Sequence, residues 1–268
     1  MSPLTLFMTG EGPSDIGTRN HNGDFVPGVM AHVAIAVAKM YGKNLTFDCR
    51  FTSENELTKV ERAEPSFKRQ PVVEGRGQRT KKFSGLWLRA RAYAKEVCEK
   101  ADPKPDCRMA IMFTDADGTH TASHQICQQK YEAILNGFEA GGCQYGVPMV
   151  PRPKSEAWLL AYFQKNKGKS SSAYQNCARF ENLAGNDKSQ PKNSAKHILD
   201  ELLHGDYPGA DEIGEIDWGR VDMPSFQRFK NRVEEVLSGQ GVRRSMPQNA
   251  PPNVRHASTT VPLSSQYE

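Results

Sequence analysis

Two short acidic clusters carry the residue types and spacing that chemistry needs. Glu11 and Asp15 lie in Gly10-Glu11-Gly12-Pro13-Ser14-Asp15, and Asp115 and Asp117 lie in Asp115-Ala116-Asp117-Gly118-Thr119. Each cluster follows directly on an almost unbroken apolar run, Leu4–Thr9 (LTLFMT) and Met109–Thr114 (MAIMFT). Two carboxylates at i and i+2 of an extended segment project from the same side, so Asp115 and Asp117 can face one ion. Carboxylate oxygens are hard ligands that suit Mg²⁺ or Mn²⁺, ions that keep several waters and bridge to phosphates. Gly12 and Gly118 permit the tight bends that bring such acids round. Short acidic motifs also serve as surface loops and helix caps. The chemical reading rests on the conjunction, with both motifs placed immediately behind strands of buried type.

The elements that must position these acids follow from the apolar pattern. Leu4–Thr9 and Met109–Thr114 read as strands covered on both faces of a parallel sheet, Leu45–Phe51 as a more alternating edge strand, and Tyr145–Val150 as a fourth strand. Helical patterns run over Gly28–Met40, Leu86–Glu99 and His124–Phe138. This alternation predicts an α/β fold, a mainly parallel sheet of about four strands with helices on both faces. Functional residues of such sheets collect beyond the carboxyl ends of the strands, which puts both acidic clusters at one edge. Later, Lys154–Phe163, Asn193–His204 and Ser225–Leu237 read as helices, the second with Asn or Ser at its start and Gly205 at its stop. The expected organisation is an α/β core over 1–165, a helical extension over 166–238 and a disordered tail over 239–268, rich in Pro, Ser, Gln and Asn.

The chain has 268 residues, 37% hydrophobic and 25% charged, the composition of an ordinary globular protein with a real core. No apolar stretch is long enough to span a bilayer, and the first residues lack the basic region of a signal peptide. Six scattered cysteines without a CxxC pair read as reduced thiols. A cytoplasmic location, without membrane attachment, is the expectation. The net charge of +4 names no partner, but its distribution does more. Between Lys59 and Lys82 eight basic residues, among them Arg76, Arg79, Lys81 and Lys82, face three acidic ones. Such a basic inserted loop, taken over 59–85, is an electrostatic footprint for a phosphate backbone, DNA or RNA, or else a solvated loop.

A strand followed by EGxxD, with a distal strand followed by DxD, resembles the TOPRIM domain of topoisomerases, primases and overcoming-lysogenization-defect nucleases. Further segments are similar to small stand-alone TOPRIM-like proteins: Glu156-Ala157-Trp158-Leu159-Leu160-Ala161, Pro191–Lys196 and Pro224–Phe229. The resemblance covers roughly residues 4–237. It implies a metal-dependent endonuclease, often encoded beside an ABC-type ATPase in bacterial phage-defence operons. It assigns Glu11 as general acid/base and ligand of a second ion, Asp115 and Asp117 as the metal pair, and Asp15 as a further metal acid. Glu156, beyond the fourth strand, stands where TOPRIM nucleases often place another acid. About 100 residues separate Glu11 from Asp115, more than in compact TOPRIM modules, with the excess in the loop after the second strand.

Other readings stay open. Ala110–Thr119 also matches the hhhhDxDGT motif of haloacid-dehalogenase-type phosphatases, with Asp115 as nucleophile and Asp117 as general acid. That motif normally opens its domain, whereas here a β-α-β region precedes it. A third reading is a metal-binding or regulatory subunit that does no chemistry beside its ATPase partner; homo-oligomers are compatible with all three. His120, His124 and Cys127 have helical spacing but no fourth zinc ligand, so a solvated or structural role is expected. Lys196 is either an ordinary surface lysine or a phosphate contact near the acids. Trp158, Leu159 and Leu160 read as core.

Overall fold

The computed structural model describes residues 3–42, 46–63, 83–99, 108–116, 123–163, 174–185 and 191–239. Four parallel strands form the central sheet, β1 (Leu4–Gly10), β4 (Phe47–Phe51), β5 (Arg108–Phe113) and β6 (Gly146–Met149), in the order β4-β1-β5-β6. The two acid-bearing strands, β1 and β5, are therefore adjacent and central, and the alternating strand β4 is at an edge, as the sequence predicts. The helices are α1 (Val29–Tyr41), α2 (Glu54–Ala63), α3 (Ser84–Glu99), α4 (His124–Ala140), α5 (Ser155–Phe163), α6 (Ala195–Leu203), α7 (Ala210–Glu215) and α8 (Pro224–Leu237).

The pleat sorts the strand residues between two cores. Leu4, Leu6 and Met8 of β1, Met109, Ile111 and Phe113 of β5, and Val147 and Met149 of β6 pack with α1, α5 and the helices α6–α8. Phe7, Ala110 and Met112 pack on the opposite side with α2, α3 and α4. Both faces of β1 and β5 are covered, which is why their sequences read as unbroken apolar runs rather than alternating ones. Each fully buried large side chain contributes about 1.5–3 kcal/mol. The first core culminates in an aromatic group. The Trp158 ring lies 5.1 Å from Phe226 edge-on and 5.6 Å from Phe229 in a stack, and Trp218 lies 5.4 Å from Phe226. The Trp158 indole Nε1–H donates to Ser225 Oγ at 2.8 Å, so its polar edge is satisfied inside the core. The sequence segments at 156–161 and 224–229 thus meet mainly as packing, and the core role read for Trp158, Leu159 and Leu160 holds, with exposures of 0–1%.

Caps set the helix ends. Ser194 accepts from the His197 N–H at the start of α6, and Ser123 does the same for Ile126 at the start of α4. His204 adopts a left-handed conformation at the end of α6, just before Gly205.

Besides the short helix α7, which the sequence reading did not contain, two features differ from it. A small antiparallel ribbon, β2 (Gly17–Arg19) with β3 (Phe25–Pro27), follows the first acidic cluster; three-residue strands carry too little alternation to be recognised. The expected basic loop does not begin at Lys59, because α2 runs to Ala63, and it does not extend to residue 85, because α3 starts at Ser84. The start of α2 is a capping box: Glu56 Oε2 accepts from Ser53 N–H at 2.7 Å, and Ser53 Oγ accepts from Glu56 N–H at 3.2 Å. The remainder of the basic stretch, 64–82, and the tail from 240 lie outside the described residues. No helix among the described residues is long and apolar enough to cross a membrane.

Candidate metal and phosphate site at the carboxyl edge of the sheet

At its carboxyl end β1 is pressed against β5. A Cβ on Gly10 would stand 2.7 Å from the Phe113 carbonyl oxygen, so the close approach requires glycine. Glu11 follows, exposed, its Oε1 accepting a short hydrogen bond from the Thr114 hydroxyl. The chain then turns at Gly12 with φ +83°, and the Asp15 and Ile16 N–H groups both donate to the Gly12 carbonyl. The same turn caps α1. Val29 N–H donates to Ser14 O at 3.3 Å and Met30 N–H to Asp15 O at 2.8 Å, satisfying amides that a helix leaves without partners. The turn therefore carries Asp15 to the α1 side of the sheet, while Glu11 stays on the α3–α4 side with Thr114.

Ser155, the first residue of α5, links the two acidic clusters. Its hydroxyl donates to Asp15 Oδ1 at 2.9 Å, and its backbone N–H donates to Asp115 Oδ1 at 2.9 Å. Carboxylates from adjacent strand ends are thus held at the amino end of one helix, where the peptide dipoles favour negative charge. Glu156 Oε2 is 3.3 Å from the same hydroxyl, whose single proton favours the shorter bond to Asp15.

A cleft of about 420 Å³ opens over this arrangement, its polar lining supplied by Ser14, Asp15, Asp115, Lys154, Ser155, Glu156, Lys196 and Tyr207. Burial raises the Asp15 carboxyl above its ordinary range; the Ser155 hydrogen bond, Lys154 and Lys196 pull it back, and the Glu11 charge pushes it further up. Glu156, 9% exposed, is also raised by burial, against its own backbone N–H, with Asp15 adding to the rise. Burial drives the Tyr207 phenol far up, helped by the Glu156 charge and by its hydrogen bond to Asp200, so its oxygen keeps the proton that it donates to Asp200.

The other side of the edge is different. There a cavity of about 220 Å³ is lined by Glu11, Thr114, Glu54, Arg89, Lys130 and apolar residues including Leu57 and Leu86. Arg89 pairs with Glu54 at 2.8 Å, and Lys130 Nζ donates to the Asp115 carbonyl oxygen at 2.6 Å. A third groove, about 480 Å³, runs between the 12–19 segment and α2, with Arg19 and Lys59 in its lining.

Of the residues singled out in the sequence, Asp15, Asp115, Glu156 and Lys196 share one cleft, and Glu11 lies beside it in the neighbouring cavity. Asp117, Arg76, Arg79, Lys81 and Lys82 lie outside the described residues, as does His120. His124 is exposed at the start of α4, whereas Cys127 is buried and donates to Val150 O at 3.5 Å, so these two do not face a common point. Among the described residues no group of three or more His, Cys, Asp or Glu is arranged to hold a metal ion. Sequence reasoning missed Ser155, Lys154 and Tyr207 as lining residues. Lys154 and Ser155 sit directly beyond the fourth strand, where the carboxyl-edge rule points. Tyr207 lies in the aperiodic stretch HGDYPGADE and reaches the cleft only because α6 packs on α5. No family model, curated protein or solved structure matches the chain significantly.

Proposed function

We propose that the chain is a Mg²⁺- or Mn²⁺-dependent TOPRIM-type endonuclease that hydrolyses phosphodiester bonds in DNA or RNA, working beside an ATPase partner as the resemblance implies. The observation that carries this reading is the clasp of Asp15 and Asp115 by Ser155, with Lys154 and Lys196 lining the same cleft. The donors fit a hard cation. The acids offered are carboxylates, among the described residues no thiol or imidazole lines the cleft, and the half-buried Asp15 is crowded by Glu11 and Glu156, a repulsion that a cation relieves. Asp15 and Asp115 would hold it, with Asp117 as third ligand by its parity with Asp115 and Glu156 in reserve. When bound, the ion supplies charge stabilisation at the scissile phosphate and acidifies a water.

The chain's own residues do the rest. Lys154 and Lys196 attract phosphate oxygens to the cleft, and the Tyr207 phenol, donating to Asp200, forms part of its wall. Ser155 fixes the orientation of both carboxylates before substrate arrives. Glu11, oriented by the Thr114 hydroxyl, takes or returns the proton at the reacting oxygen.

The experiment is to incubate the purified chain with supercoiled plasmid, tRNA and p-nitrophenyl phosphate, with Mg²⁺ or Mn²⁺. Cleavage of a polymer is expected, with a loss of about 10²–10⁴-fold in Glu11→Gln, a change that leaves the fold intact because the side chain is exposed. Release of phosphate from the monoester, with full activity in Glu11→Gln, would replace this reading by the phosphatase one in which Asp115 is the nucleophile. No turnover of any substrate, alone or with the ATPase, would leave a regulatory subunit.

A further inference from the structure

Chemistry of another kind is assembled at the opposite edge of the sheet. A six-residue strand spans about 20 Å, so the start of β5 lies well away from the acids at its end. There the last turn of α3 meets the turn that joins α4 to β6. The Cys98 thiol donates to the Gly142 carbonyl oxygen at 3.7 Å and lies 3.1 Å from the Tyr145 hydroxyl, which seats it against the turn that carries Cys143. Both cysteines are free thiols, Cys98 half-buried and Cys143 buried at 1% exposure. Arg108, 4% exposed, stands beside them, its guanidinium donating to the Val97 carbonyl at 2.9 Å and the Cys98 carbonyl at 3.4 Å.

The arrangement polarises the pair. The Cys143 hydrogen bond, then the Tyr145 hydroxyl and the Arg108 charge, overcome burial and Glu99 and bring the Cys98 thiol down to about 6. Burial, together with its bond to Cys98, pushes Cys143 well above the ordinary thiol value. Cys98 is thus the more acidic and the more exposed thiol of the two. The other described cysteines go the opposite way: burial raises Cys49 to about 11, and it raises Cys127 and Cys177 as well. Two cysteines that merely fill a core have no reason to sit beside a buried guanidinium and a phenol that both favour an anion on one of them.

We propose that Cys98 and Cys143 form a reversible thiol–disulfide pair, with Cys98 as the peroxide-reactive sulfur and Cys143 as the sulfur that resolves it. The co-reactant is a hydroperoxide. The Cys98 thiolate attacks the peroxide oxygen; the S–O bond forms, the O–O bond breaks, and the leaving hydroxide takes a proton to become water. Cys98 is oxidised to a sulfenic acid and the peroxide is reduced. Cys143 then attacks the Cys98 sulfur; the S–S bond forms, the S–O bond breaks, and hydroxide leaves with the Cys143 proton as a second water. A reduced dithiol restores both thiols by exchange through a mixed disulfide. The crosslink ties the end of α3 to the start of β6.

The test uses the full chain. Alkylation with iodoacetamide at neutral pH, read by peptide mapping, is expected to modify Cys98 at least about tenfold faster than Cys127 or Cys177, since only thiolate reacts. Brief hydrogen peroxide treatment is expected to give a monomeric chain with a Cys98–Cys143 crosslinked peptide that disappears on adding dithiothreitol. Cys143→Ala should stop at a sulfenic acid trapped by dimedone on Cys98, and Cys98→Ala should give no crosslink. Alkylation of Cys98 as slow as that of Cys127, or peroxide treatment of the unmutated chain that yields no Cys98–Cys143 peptide, overturns the proposal. The mapping on the unmutated chain decides the matter even if a variant misfolds.

Discussion

On the α1–α5 side of the sheet's carboxyl edge, Asp15, Asp115 and Glu156 share one cleft with Lys154 and Lys196; on the α3–α4 side, Glu11 faces a smaller cavity in which Arg89 is paired with Glu54. The two sides share one edge of the sheet, yet they differ in kind. One gathers like charges into partial burial and leaves the carboxyls of Asp15 and Glu156 raised, a state that a cation or a proton relieves. The other offers one exposed carboxylate held by a threonine hydroxyl, next to an ion pair that is already neutral. The pleat produces the split. Glu11 continues β1 on the side of Phe7, and only the Gly12 turn brings Asp15 round to the side of Leu6 and Met8. Acids adjacent in sequence at a strand end therefore do not have to point at one ion, and the two sides suit different roles, binding in the cleft and proton transfer in the cavity.

The largest effect should come from removing the platform under the cleft. Ser155 and Glu156 are positioned by α5, and α5 is fastened by Trp158 against Phe226 and Phe229. Trp158→Ala is expected to cost about 3–5 kcal/mol, read as a lower denaturant midpoint with unchanged slope. The same variant should lose any Mg²⁺-induced rise in melting temperature while the α3–α4 side stays packed. A cost under about 1 kcal/mol would mean that α5 is held by something other than this aromatic group.

How far each side could be read from sequence follows from where its information lies. The strands that carry the acids are legible because both of their faces are buried, and parallel strands deliver their ends to one edge. Asp15, Asp115 and Glu156 were visible as chemical residue types beyond strand ends, and Lys196 as a basic residue on a later helix. Their separation from Glu11 was not, because it depends on the φ of Gly12 and on Ser155, a residue that in sequence is one more small polar group before a helix. Tyr207 left no trace in the pattern, since it joins the cleft through helix packing rather than through a strand. The helix α2 did carry a signal, the box Ser53-Glu54-Asn55-Glu56, but Leu57 and Val60 make too thin an apolar stripe beside so many charges.

A smaller effect concerns the proton. The folded chain holds protons on Asp15 and Glu156 above the ordinary carboxylate range, so it binds more protons than the unfolded chain in the window between the two. Stability contributed by these groups is present below the unfolded values and is lost as pH rises through the folded ones. Asp15→Asn should flatten that decline in urea titrations from acid to neutral pH. Ser155→Ala should steepen it, because the hydroxyl is what lowers Asp15, and should cost roughly 1 kcal/mol at neutral pH. The backbone N–H to Asp115 survives this change, so the effect belongs to Asp15 alone. If Ser155→Ala leaves the pH profile unaltered, the clasp does not govern the cleft.

The smallest expected effect asks which side receives the nucleic-acid backbone. Lys196 lines the cleft, whereas Arg79, Lys81 and Lys82 belong to the segment joining α2 to α3, the helices that border the Glu11 cavity. Each cation that neutralises a phosphate steepens the salt dependence of binding by roughly 0.7–0.9 log units per log unit of salt. Lys196→Gln should flatten the slope by about one such step if the cleft holds the phosphate. Replacing Arg79, Lys81 and Lys82 together by Gln should flatten it by up to about three such steps if the backbone also crosses the other side. These contacts position a backbone without reading bases, so the loss should be the same for unrelated sequences. The triple change should not move the metal-induced melting shift, because the acids sit on other segments. Flattening by Lys196→Gln alone confines the substrate to the cleft; flattening by the triple change alone moves it to the α3–α4 side and leaves the lysines of the cleft without a phosphate. A slope unaltered by both, combined with weaker co-purification of an ATPase by the triple variant, would make the basic segment a protein-docking surface instead.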